Sequence, residues 1–236
     1  MPKGLLRGSF WKFVGDFAMT LKLVIGNKNY SSWSMRPWLA LRASRIPFEE
    51  IFIPLYTGQT DKDRILRFTR SGKVPALIDG DITVWDSLAI IEYLAERFPE
   101  AKLWPQDHAA RAHARSVSAE MHSGFMPLRN ECGMNLHRPV GSIALSEDAR
   151  ANVARVEEIW SDCRERYGKQ GPFLFGAFTG ADAMYAPVVH RFRTYAIKVG
   201  PVAQAYMETM MALPAFKEWT EAGLAETLMI AKFETV

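Results

Sequence analysis

Two polar clusters in the first half of the chain have the residue types and spacing to hold a small ligand with charged ends. The first lies in Lys73 to Phe98, KVPALIDGDITVWDSLAIIEYLAERF. Proline has no backbone N–H and is normally kept out of sheet interiors, so a strand entered through Val74-Pro75 leaves backbone groups open at one end. Asp86-Ser87 opens a helix whose first-turn N–H groups are also free and face the same spot. Such a corner can capture an extended peptide. Val74 pairs its backbone with it as an added strand, Ser87 and the helix N–H groups hold a carboxylate, and Asp86 takes an ammonium. The second cluster is upstream, where Ser31, Ser32 and Ser34 stand beside Tyr30 and Trp33. Capping a helix needs one hydroxyl, and three are present.

The elements that must carry these residues follow from the pattern around them. Leu21 to Ile25 reads as a buried strand. The serines come next, and Trp38, Leu39 and Leu41 with Arg42 and Arg45 read as a helix in which Pro37 belongs to the first turn. Asp79-Gly80-Asp81 supplies a turn between Val74-Pro75-Ala76 and the return strand Ile82 to Asp86. Leu88, Ile91, Tyr93 and Leu94 then fall at helical spacing. Residues 99–107, with two prolines among polar residues, read as a linker, beyond which only helical periods occur. Ala114, Val117, Met121, Phe125 and Leu128 trace one helix face, interrupted near Pro127, and Val153, Val156, Trp160, Cys163 and Tyr167 trace another. Thr179-Gly-Ala-Asp182 has the spacing of a capping box, with Asp in place of Glu or Gln, and its role is structural.

Composition narrows the function classes. The chain has 236 residues, of which 48% are hydrophobic and 23% charged, enough for a sizeable core and one or two domains. A net charge of +3, with basic residues scattered among acids, gives no footprint for nucleic acid. No apolar run reaches the roughly 18 residues of a membrane span. Cys132 and Cys163 lack metal-ligand spacing and read as buried free thiols in a reducing compartment. The five histidines show no ligand spacing either, so no metal is expected. Residues 1–20 fall outside the domain pattern and lack a continuous apolar core or cleavage site, which argues against a secretory signal. Met19 is the better start, and the arm reads as an upstream start or a disordered extension, with an amphipathic surface segment as the alternative.

The order strand, Ser-Ser-Trp-Ser-Met-Arg, helix, strand, Lys-Val-Pro-Ala-Leu, hairpin, Trp-Asp-Ser-Leu-Ala-Ile-Ile-Glu-Tyr-Leu resembles the glutathione S-transferase superfamily. It is most similar to the serine-type members, and Ser31-Ser32-Trp33-Ser34-Met35-Arg36 resembles the Ser-Ser-Cys-Ser-x-Arg signature of the zeta class, which includes maleylacetoacetate isomerase. Trp33 stands where that signature has cysteine. The resemblance implies a thioredoxin-like α/β domain over 21–99, a linker over 100–107 and an all-helical domain over 108–236. It also implies a cytoplasmic homodimer with glutathione as co-substrate and a small electrophile as second substrate, without nucleic acid or membrane partners. Carried over by position, Ser31 is the partner of the glutathione sulfur, with the adjacent Ser32 as alternate. Val74, before a cis Pro75, pairs with the cysteinyl backbone, Asp86 and Ser87 grip the γ-glutamyl end, Lys73 faces the glycine carboxylate, and Trp33 borders the same site. Met121, Phe125, Met126, Arg129 and Met134 are the candidates for the second-substrate pocket, since methionine and aromatic side chains suit an adaptable apolar site.

The implied chemistry is nucleophilic. An unperturbed thiol, with pKa near ~8.5, is only a few per cent ionised at neutral pH, so a hydroxyl donating to the sulfur at a helix N-terminus favours the reactive thiolate. Thiol–disulfide exchange is disfavoured because Ser-Ser-Trp occupies the place of a catalytic cysteine. Two alternatives to a transferase stay open: a glutathione-dependent cis-trans isomerase, for which Arg36 and Arg129 are the available cations, and a non-catalytic binding module on the same fold.

Overall fold

A computed structural model describes residues 21–234, so the arm at 1–20 lies outside the described residues. The first part is a four-stranded mixed sheet in the order β2-β1-β3-β4, built from β1 (Leu21–Ile25), β2 (Phe48–Phe52), β3 (Ala76–Asp79) and β4 (Ile82–Trp85). Parallel strands need a crossover. Here α1 (Ser32–Ala43) supplies it between β1 and β2, which pair from Leu21 with Phe48 to Ile25 with Phe52. β3 runs antiparallel to β1, and the Asp79-Gly80-Asp81 turn returns the chain into β4 with Ala76 opposite Trp85. Short α2 (Gln59–Leu66) precedes β3, and α3 (Ser87–Arg97) follows β4.

Two local expectations change. The helix expected to hold Pro37 in its first turn begins at Ser32, which leaves Pro37 beyond that turn, inside α1. The Ser31 side chain accepts from the Ser34 N–H and so caps the earlier start. That cap and the buried face of Met35, Trp38 and Leu39 outweigh the one backbone hydrogen bond that Pro37 cannot donate to the Trp33 carbonyl. The strand expected to include Val74 and Pro75 begins only at Ala76, and the Val74–Pro75 peptide bond is cis. The Val74 backbone therefore stays outside the ladder.

The second part is helical: α4 (His108–Ser123), α5 (Met126–Glu131), α6 (Glu147–Tyr167), α7 (Gly180–Thr194), α8 (Pro201–Ala212) and α9 (Pro214–Leu224). The α4 stripe ends where Gly124 and Phe125, the latter at φ 61°, turn the chain into α5. The segment read as a polar linker is anchored. Leu103 and Trp104 are buried, and the Leu103 carbonyl accepts from Gly180 N–H at 2.7 Å. A Cβ on Gly180 would come within 2.7 Å of Ile91 in α3 and 3.0 Å of Trp104, so glycine permits this close approach. One apolar core therefore runs from Leu23 and Leu39 through Ile91 and Trp104 to Trp160, Tyr185 and Trp219. The Thr179–Asp182 capping box is formed at the start of α7. Among the described residues no helix is long and apolar enough to cross a membrane.

Candidate active site

The loop from β1 into α1 is fixed before any ligand arrives. Asn27 Oδ1 accepts from Leu55 N–H at 2.9 Å, and the fully buried Asn29 Oδ1 accepts from Leu136 N–H at 2.6 Å and His137 N–H at 3.2 Å, tying the loop to the helical part. Glu226 accepts from the Lys28 and Asn29 N–H groups. Tyr30 is held by Glu234 and by Ile230 N–H. Ser31 and Ser32, 8% and 6% exposed, sit on this rigid corner at the N-terminus of α1.

Ser31 Oγ lies 2.7 Å from Ser34 Oγ, and Ser34 Oγ accepts from Gly26 N–H at 3.1 Å. A hydroxyl proton can sit on either partner of such a pair. When Ser34 donates to Ser31, the Ser31 hydrogen is left free for another acceptor. Ser31 then receives from Ser34 while the N-terminal end of α1 adds its positive potential. One hydroxyl thus both caps the helix and remains able to donate.

Two cavities meet at this corner. One, of about 600 Å³, is lined by Tyr30, Ser31, Ser32, Trp33, Lys73 and Val74 on the sheet side and by Met126, Arg129, Asn130, Met134 and Arg191 on the helical side, with Phe233 and Tyr56 at its edge. The other, of about 610 Å³, is lined by Trp33, Lys73, Val74, Pro75, Trp85, Asp86 and Ser87. Trp33, Lys73 and Val74 belong to both. All eight residues that the sequence assigns to sulfur and peptide binding therefore line one continuous depression. Of the five assigned to the second-substrate pocket, Met126, Arg129 and Met134 line it. Met121 and Phe125 do not: they belong to the core, 1% and 7% exposed, Met121 on the α4 helix that packs on α7 and Phe125 at the turn into α5.

The site also contains residues that sequence reasoning did not assign. Arg191 stands in α7 among Val188, Val189 and Phe192. An arginine within so apolar a face was its only signal. It is 5% exposed. Its Nε donates to the Cys132 carbonyl at 2.7 Å, and its buried Nη1 has no hydrogen-bond partner among the described residues. Burial, with Arg129 nearby, lowers its pKa to about 10. Arg129 is likewise lowered by burial and donates to the carbonyls of Gly124 and Met121 at the end of α4. Arg36, fully buried, lies 4.3 Å from the Trp33 ring centroid and donates to Ser87 Oγ at 3.2 Å, while its Nε and Nη2 have no partner among the described residues. Burial first, then Arg129 and Arg191, hold it well below the usual guanidinium range. Three desolvated cations around one depression repel one another, and an anion bound among them would relieve that strain.

At the other end, Asp86 caps α3 from φ 77°, with Oδ1 accepting from Leu88 and Ala89 N–H. Ser87 Oγ accepts from Arg36, so its own hydrogen is free to be donated. A carboxylate here meets a hydroxyl donor, a helix N-terminus and a buried guanidinium behind it. Cys132 and Cys163 are buried, and burial raises their thiols to about 11 and about 12, which makes them poor nucleophiles.

Fold and site together define a glutathione-dependent transferase, and comparison with known proteins agrees. Residues 30–97 match the family described as "Glutathione S-transferase, N-terminal domain", and residues 144–222 match its C-terminal domain. The chain is 35% identical over 208 residues to human "Glutathione S-transferase theta-1", covering 84% of this chain and 82% of that protein. It is 31% identical over 196 residues to rat "Maleylacetoacetate isomerase", covering 79% and 85%. A glutathione transferase homolog from Burkholderia, solved with bound glutathione, superposes with a TM-score of 0.65 at 25% identity, covering 88% of this chain and all of that one. The chain belongs to the glutathione S-transferase family, with glutathione as its co-substrate.

Proposed function

We propose that the protein activates glutathione through Ser31 and transfers the thiolate to a small electrophile that carries a carboxylate. In this reading the cysteinyl backbone pairs with Val74, whose N–H and C=O lie outside the sheet. The γ-glutamyl ammonium goes to Asp86, its carboxylate to Ser87 and the start of α3, and the glycine carboxylate to Lys73. The sulfur then faces Ser31, with Ser32 adjacent. The observation that carries the proposal is that Ser31, the half-buried Arg129 and the buried Arg191 line the same cavity, the serine from one side and the guanidiniums from the other. Nucleophile and anion-binding groups thereby address one substrate. Attack forms the carbon–sulfur bond, and the leaving group departs with the electron pair.

Two cations rather than one also favour a second reading, in which an unsaturated diacid accepts the thiolate, rotates about the bond made single by addition, and expels it again. That is a cis-trans isomerisation without net consumption of glutathione. Turnover of carboxylate-bearing and neutral electrophiles should be compared while free thiol is followed. Preference for the carboxylates with loss of thiol supports transfer, and conversion of an unsaturated diacid at constant thiol supports isomerisation. Equal rates with neutral analogues would refute the role of Arg129 and Arg191. The reading includes a homodimer in the cytosol, which sedimentation and cell fractionation test.

A further inference from the structure

His122, in the last turn of α4, has no place in the mechanism above, yet it touches the glutathione-binding half of the site at two points. Its ring stands edge-on to Trp33, centroids 5.3 Å apart at 82°, and its Nε2 lies 3.2 Å from Asp86 Oδ2. The other oxygen, Oδ1, is already committed to the Leu88 and Ala89 N–H groups. Oδ2 is therefore the oxygen left for a ligand, and His122 shares it. The protonation state is settled by the surroundings. Among the described residues buried Nδ1 has no partner, so a proton there would be an unpaired donor, whereas a lone pair is tolerated. The hydrogen sits on Nε2 and points at Asp86.

We propose that His122 is a positioning residue for the γ-glutamyl end of glutathione: as a neutral Nε2–H donor it fixes the Asp86 carboxylate so that Oδ2 keeps one lone pair for the ammonium. This rests on the assignment of Asp86 to that ammonium. Neutrality matters because an imidazolium would place a second cation at the oxygen the ammonium needs. The groups facing the ring are Asp86 at the α3 cap, Arg36 from α1 and Arg129 from α5. Burial and the two arginines outweigh Asp86 and hold the pKa below its ordinary 6.5. The imidazole is therefore neutral at neutral pH. As pH falls through its pKa, below 6.5, the KM for glutathione should rise, and above it the KM should be flat.

The test uses three variants and two thiols, glutathione and its analogue lacking the α-amino group. His122→Phe keeps the ring edge against Trp33. It should raise the KM for glutathione about tenfold at neutral pH, the worth of one hydrogen bond to a charged group, with kcat unchanged. It should leave the KM of the deaminated analogue unchanged. His122→Gln restores a donor that does not titrate, so most of the affinity should return without the rise at acid pH. If Asp86→Asn raises the KM for glutathione while His122→Phe leaves it at the wild-type value, His122 does not position Asp86. A rise equal for both thiols would mark a general structural role and overturn the proposal. If Asp86→Asn has no effect on either thiol, the assignment of Asp86 itself fails, and the proposal with it.

Discussion

Removing the Ser31 hydroxyl separates the helix cap that the structure shows from the sulfur contact proposed for the same atom. Ser31 Oγ accepts from Ser34 N–H at 3.3 Å as the α1 cap, and in the proposed function it also donates to the glutathione sulfur. Loss of a serine cap costs about 1 kcal/mol, a fall of about 2–4 °C in Tm for a chain of this size. The catalytic effect should be larger. A hydrogen bond to a charged group is worth about 1.5–3 kcal/mol, so Ser31→Ala should raise the pKa of bound glutathione by about 1–2 units, at about 1.4 kcal/mol per unit. The sign is that of an acid whose anion loses a donor: the thiolate is present only at higher pH. Turnover at neutral pH should fall about 10- to 100-fold and recover as pH rises toward the free thiol's range. The contribution of the α1 N-terminus, about 0.3–1 kcal/mol, survives the substitution and keeps the shift from being complete. Ultraviolet thiolate absorbance of the glutathione complex, titrated against pH for wild type, Ser31→Ala and Ser32→Ala, measures this directly. A Ser31→Ala protein with the wild-type thiolate titration would refute the reasoning, and a shift confined to Ser32→Ala would transfer the role to its neighbour.

Three further outcomes are expected. Arg191→Met fills much of the same volume without charge, and it should weaken a carboxylate-bearing electrophile about tenfold or more in kcat/KM while leaving a neutral one unaffected; steady-state kinetics with a matched pair of substrates decide it. His190 stacks on Phe216 at 4.2 Å, and burial lowers its pKa from 6.5 to about 3. It stays neutral in the fold while the unfolded chain takes up its proton below pH 6.5, so stability should fall as pH drops from 6.5 toward 3, at up to about 1.4 kcal/mol per unit. His190→Asn should flatten that limb in urea melts at stepped pH, and an unchanged slope would assign the acid sensitivity elsewhere. Thr179→Ala removes the hydroxyl that donates to Asp182 Oδ2 at 2.9 Å and should cost about 1–2 kcal/mol by denaturant unfolding without moving the pH profile of turnover.

The parts of the site that were legible in the sequence are those coded within a few residues. Pro75 showed where a strand must leave backbone unpaired, Asp86-Ser87 showed a helix start, and Thr179 to Asp182 showed a capping box, because proline geometry and capping act over three or four positions. The apolar periods likewise gave the order of strands and helices. Where local rules competed, the reading slipped. Pro37 argued for a late helix start, and the Ser31 cap with the Met35–Trp38–Leu39 face prevailed. Met121 and Phe125 looked like pocket residues from composition, since the same residue types line pockets and cores.

The sequence by itself determined where polar groups stand at the corners of the first domain: the serines at the end of β1, the proline-marked strand edge, and the acid-serine step into α3. Their chemistry depends on neighbours along the chain. Only the tertiary structure decided what faces them. Arg191 reaches the cavity beside Ser31 from α7, His122 reaches Asp86 from the end of α4, and Phe233 lines the same cavity from the last described turn. None of these has a local signature. A charge buried in one helix acquires meaning only from the cations and hydroxyls that packing brings opposite it, and those partners lie many tens of residues away in sequence.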